Sequence, residues 1–134
     1  MLFRYDFGKT LDVSKFRVQA QHYIAQMRQL EYHLVLQNYK IVVNISTPDD
    51  CTAHLVSVSI FDIKRDKHGL ITDANLLFPG DDLRFKEFKI IKEIWKNPDY
   101  SSGDWASGSV SDTTEKIISL LKIAHKIDNL KAFL

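Results

Sequence analysis

The side chains that could carry chemistry are few and fall in short stretches of loop character. Cys51 and His54 stand three residues apart, and a thiolate nucleophile needs a base at that sort of reach. Asp49 and Asp50 precede the cysteine directly. Negative neighbours hold a thiol protonated, so this pair is read as inert. A zinc site would need a second cysteine or clustered histidines, and the chain has one cysteine and scattered histidines. Ser101-Ser102-Gly103 and Ser107-Gly108-Ser109 precede a helix start, where free N–H groups attract anions. The lysine and glycine spacing of a nucleotide loop is missing, and Asp112 and Glu115 already bring negative charge there. Catalytic residues, metal ligands and cofactors are therefore assigned to none of these positions.

Binding is better served. The run from Asn97 to Ser111 is rich in turn formers, yet it carries Tyr100 and Trp105. A structureless segment of that length is usually functional or disordered, and exposed aromatic rings favour a partner. Asp49 and Asp50 lie in one expected turn, and Asp81 and Asp82 follow the break at Pro79-Gly80. Alternating strand directions would gather these four carboxylates at one end of a sheet. Lys64, Arg65, Lys67 and His68 would mark the other end. Such an acidic end suits a basic protein surface or a divalent cation, while Asp is also common in turns for local reasons. Tyr100, Trp105, Asp49, Asp50, Asp81 and Asp82 are thus the candidate partner-binding residues.

The elements that must position them are read from periodicity. Phe3, Tyr5 and Phe7 alternate with Arg4 and Asp6, which reads as a short strand ended by Gly8. Val13, Phe16, Ala20, Tyr23, Met27, Leu30 and Leu34 recur at threes and fours, predicting one long helix from Ser14 to about Gln37. A second stripe on that helix, Gln19, His22, Gln26, Gln29, His33 and Gln37, is polar but uncharged. Burying such a face strands no ions, which suggests a homodimer through helix 14–37. On that helix His22 and His33 lie roughly 16 Å apart along the axis, too far to share a metal.

Strands follow at Tyr39 to Ser46, at Thr52 or Ala53 to Ile63 and, more weakly, at Gly69 to Phe78. Phe85, Phe88, Ile91 and Trp95 share a helical face between Leu83 and Lys96, although Ile90 and Ile94 leave a strand open there. Asp112 and Glu115 form a capping box for a last helix to about Leu130. The expected fold is α+β: an antiparallel sheet of about four strands, packed by a long N-terminal helix and a C-terminal helix, in a single domain spanning 1–134.

Length and composition agree with that frame. The chain has 134 residues, 45% of them hydrophobic, enough for a core without metal or disulfide. A net charge of +1 gives no global attraction to nucleic acid. Lys86, Lys89, Lys92 and Lys96 alternate with Glu87 and Glu93, as on a solvated face. No apolar run reaches bilayer length, and the first residues lack a signal-peptide pattern. With the single cysteine, these cues lead to an expectation of a cytoplasmic protein with no membrane and no nucleic-acid partner.

The run from Phe88 to Leu121, with Asn97-Pro98 as its turn, resembles the strand, turn and helix of ubiquitin-conjugating folds. The reactive cysteine such an enzyme needs after the turn is absent, so the resemblance implies no activity. The function expected is a non-catalytic protein-binding module of adaptor, inhibitor or immunity type, or an accessory subunit, with an unidentified protein partner. The alternative is a small enzyme or ligand-binding protein with a pocket between loop 97–111 and the acidic end of the sheet.

Overall fold

The computed structural model describes residues 1–48, 53–78 and 104–131, with the four residues of the strand at 104–107 and Lys131 described by backbone alone. The described elements are β1 (Leu2–Gly8), α1 (Ser14–Gln26), β2 (Gln29–Leu36), β3 (Tyr39–Ser46), β4 (His54–Arg65), β5 (Ile71–Phe78), β6 (Asp104–Ser107) and α2 (Val110–Lys131). They form one mixed sheet with two helices, an α+β fold. The strands run in the order β1-β2-β3-β4-β5, and β6 also pairs with β4. β6 lies against His54–Ser57 and β5 against Ile60–Arg65, so the two share the side of β4 that faces away from β3.

The largest correction concerns the long N-terminal helix. α1 stops at Gln26, Met27 is extended (φ −101°, ψ 141°), and the chain re-enters the sheet as β2. Leu30 and Leu34 are spaced by four, a spacing that a strand face shares with a helix face. With Tyr32 and Leu36 they make an alternating set, all fully or nearly fully buried. The helical reading therefore took one strand face for a continuation of the α1 stripe. No helix 14–37 exists to carry a dimer contact.

β1 pairs parallel to β2, which makes the sheet mixed rather than antiparallel. β3, β4 and β5 form the expected antiparallel meander, and β2, expected as helix, adds antiparallel to β3. β1, β3 and β5 fall close to their expected ranges. β4 runs on to Arg65.

The core is one layer between the sheet and both helices. Phe16, Ala20 and Ile24 of α1, and Ile117, Leu120, Leu121 and Ala124 of α2, pack on the face formed by Tyr32, Leu34, Ile41, Val43, Val56, Val58 and Ile60. Aromatic rings fill the β1 side: Phe16 meets Tyr32 edge-on at 5.4 Å, and Tyr32 lies 5.4 Å from Phe3. Arg17 joins the helices through Glu115, whose carboxyl is held below its usual range by that bond. The cap of α2 is Ser109, whose Oγ accepts the Asp112 N–H at 3.2 Å. The helix thus begins about one turn earlier than the Asp112–Glu115 box implies.

At one end of the sheet a polar clasp holds three elements together. Asp128, on α2 and 2% exposed, accepts the backbone N–H groups of Gln37 and Asn38 at 3.0 and 2.7 Å. Arg65 donates to the carbonyls of Leu36, Gln37 and Gly69. The β2–β3 turn is therefore satisfied from both sides. Asp128→Ala strands two N–H groups at once and is expected to cost about 2–4 kcal/mol of unfolding free energy. Urea denaturation measures it, and a loss under about 0.5 kcal/mol, the surface range, would mean the turn is satisfied without the carboxylate.

Candidate interaction surface

Alternation along a strand divides each strand between two faces. One face is the core. The other is built from Gln29, Glu31 and His33 of β2, Lys40, Val42, Asn44 and Ser46 of β3, and Leu55, Ser57, Ser59 and Phe61 of β4; Val35 shares that side but is itself buried. The register aligns Glu31, Asn44 and Ser57 in one row, and His33, Val42 and Ser59 in the next. Lys40, Phe61 and Leu76 form a third. Among the described residues, both helices lie on the opposite face.

This outer face is short of charge. Glu31 pairs with His33 at 3.3 Å, and Lys40 Nζ sits 5.6 Å from the centre of the Phe61 ring. Gln29 donates to Ser46 Oγ at 3.4 Å. Val42, Leu55, Ser57, Ser59 and Phe61 are half-buried, and Leu76 is 48% exposed. Small hydroxyls and apolar side chains across adjacent strands make a shallow surface that loses little hydration when covered. The uncharged stripe expected on one helix is divided by the correction at Met27. Gln29 and His33 belong to this outer sheet face, whereas Gln19, His22 and Gln26 stay on α1. The sequence signal for this face is the alternation of Ser57, Ser59 and Phe61 with Val56, Val58 and Ile60 in β4.

Of the residues singled out from the sequence, Asp49, Asp50, Asp81, Asp82 and Tyr100 lie outside the described residues, as do Cys51 and the segment Leu83–Lys96. The backbone of Trp105 is described. It stands in β6 opposite Val56, so loop 97–111 contains a strand at 104–107 and the first residues of α2. β5 ends with Phe78 opposite Ile60, and β6 takes the rest of that edge as far as His54. The end of β5 therefore falls roughly 20 Å short of the start of β4 at strand rise. At the basic end, Arg65 is engaged by three carbonyls. It lines a depression of about 550 Å³ together with Gln37, Asn38, Asp62, Ile63 and Lys64.

His54 opens β4 and is buried. Its Nδ1 shares a hydrogen bond of 2.9 Å with Thr47 Oγ1. Burial lowers its pKa below the ordinary 6.5, so the folded chain holds it neutral. No group of three metal-ligating side chains occurs among the described residues. No helix there is long and apolar enough to cross a membrane. The chain matches no family model, no curated protein and no solved structure.

The neutral His54 has a consequence for stability. Below pH 6.5 the unfolded chain takes up a proton there that the folded chain resists, so stability falls with pH until the folded form is protonated too. The urea midpoint is expected to drop between about pH 7.5 and about pH 5, and His54→Gln should flatten part of that drop. Parallel curves for the two proteins would show that His54 is equally basic in both states.

Proposed function

We propose that this protein is a non-catalytic binding module that holds a protein partner on the outer face of its sheet. The roles that fit are those of an adaptor, an inhibitor or immunity-type protein, or an accessory subunit. The observation that carries the reading is the low charge of that face across three adjacent strands. Interfaces between proteins are depleted of charge at their centres, because stranding an ion away from water is costly. Apolar area from Val42, Leu55, Phe61 and Leu76 would supply the driving force, and the intervening serines and Asn44 would supply hydrogen bonds. The partner surface that fits is neutral to apolar at its centre. Tyr100 and Trp105 belong to the proposal as aromatic anchors, and Asp49, Asp50, Asp81 and Asp82 as carboxylates for a basic rim.

The test is to place charge on the face without disturbing the core. Ser57→Lys with Ser59→Lys puts two ammonium groups beside Asn44 and Val42. Their stems can lie along the sheet, so the folding midpoint should shift by no more than about 1 kcal/mol equivalent. Immobilised wild-type protein is expected to retain a discrete set of proteins from lysate that the double variant does not retain. Retention of the same set by both proteins would remove the outer face as the binding surface.

A further inference from the structure

β1 is an edge strand. It pairs with β2, and no other described residue pairs with its far side. The N-terminal amine and the carbonyl of Met1 both bond to β2, through Gln29 O and Glu31 N. In a parallel ladder the residues of one strand turn alternately toward and away from their partner. Phe3 and Tyr5 therefore turn their backbone groups to β2, while Arg4 and Asp6 turn theirs to the open side. Free edges are usually blunted by proline, lysine or a bulge in the strand. Leu2 to Phe7 contains neither proline nor lysine, and Leu2 is 59% exposed. The one irregularity in its pairing with β2 falls at the end of the strand, between Asp6 and Gly8, and leaves Leu2 to Asp6 in regular register.

The strand is also symmetric about Tyr5 in its aromatic residues and opposite in sign in its charges. Phe3-Arg4-Tyr5-Asp6-Phe7 reads aromatic, cation, aromatic, anion, aromatic. We infer that β1 pairs antiparallel with β1 of a second copy of this chain across a two-fold axis at Tyr5, joining two sheets into one. In that register Arg4 of each copy stands opposite Asp6 of the other, and each such pair exchanges both backbone hydrogen bonds. Phe3 stands opposite Phe7, and Tyr5 opposite Tyr5. Moving the register by two residues either way sets Arg4 against Arg4 or Asp6 against Asp6, so charge selects the centred alignment.

Two further observations fit this occupant. Arg4 and Asp6 now bond each other within one chain at 3.2 and 3.3 Å, with both side chains more than half exposed. Exchanging partners across the axis costs them little new desolvation. A depression of about 370 Å³ lies beside the strand, walled by Asp12, Lys15 and Phe16. Above it, Gln19 accepts from the Tyr5 hydroxyl, which places the side of α1 that carries Gln19, and Lys15 one turn before it, toward the open edge. A two-fold axis normal to the sheet brings that side toward its own copy, with Lys15 and Asp12 both at the depression as charges of opposite sign. This contact lies at the β1 end of the outer sheet face, where Arg4 stands beside His33 and Asp6 beside Val35, and it would leave the β3 and β4 part of that face uncovered.

Sedimentation equilibrium from low to high micromolar concentration tests the pairing, with circular dichroism to establish folding of each variant. The wild type is expected to dimerise. Arg4→Asp alone and Asp6→Arg alone each set like charges opposite and should weaken the dimer about tenfold or more. Mixing the two variants makes every cross-axis pair opposite in sign again, so the mixture should dimerise where neither variant does alone. A wild type that stays monomeric overturns the inference, including one whose edge takes up an extended segment of a different protein. A dimer indifferent to both charge changes, or lost only when Ser57 and Ser59 are replaced by lysine, overturns it as well.

Discussion

The parallel pairing of β1 with β2 is the constraint on which the rest of the molecule depends. Two parallel strands cannot be joined by a tight turn, and the chain needs a crossover between them. α1 is that crossover. Its length is fixed by the return: the helix has to end by Gln26 so that Gln29 can begin β2 beside Met1. The register then turns Phe3 and Tyr5 toward Tyr32 and Phe16, which packs the β1 side of the core with rings. It also leaves the even-numbered backbone groups of β1 facing outward.

Once β2 is in place, antiparallel pairing carries the pattern across the sheet. Leu30, Tyr32 and Leu34 of β2 each have a buried neighbour in β3 and another in β4, as with Leu34, Ile41 and Ile60. Both described helices cover that face, and the charged groups nearest the sheet ends are used locally. Asp128 and Arg65 close the β2–β3 turn between them. Among the described residues, the Tyr32 hydroxyl is buried with no hydrogen-bond partner, and its pKa is raised by burial. Its ring is held by the surrounding aromatics, so packing outweighs the unmet hydroxyl.

Much of this was legible in the sequence, and the failure has a definite cause. Strands with strong alternation or β-branched runs, such as Tyr39 to Ser46, declared themselves because period two admits no helical reading there. Residues 27–37 did not. Their Leu30 and Leu34 satisfy both periods, no glycine or proline marks the break at Met27, and Gln, Glu and Arg are good helix formers. What decides the matter is tertiary: Tyr32 and Leu36 are buried against α1, α2 and β3, contacts that no local window contains. The parallel partner of β2 lies some thirty residues earlier and was equally invisible. The candidate surface was missed for a related reason. Ser57 and Ser59 look like ordinary strand positions until the register aligns them with Asn44 and Val42. The acidic residues, brought forward by the expected strand directions, and Tyr100, brought forward by its loop, lie outside the described residues.

Amide hydrogen exchange along β1, read residue by residue at two protein concentrations, tests the edge geometry most directly. In dilute solution Phe3 and Tyr5 should be protected by β2, while Arg4 and Asp6 exchange freely with solvent. At high concentration the Arg4 and Asp6 amides should become protected together, with Phe3 and Tyr5 unchanged. Equal exchange at all four positions in dilute solution would contradict the parallel pairing with β2. Arg4 and Asp6 amides that stay fast at every concentration would contradict the pairing of β1 with its own copy.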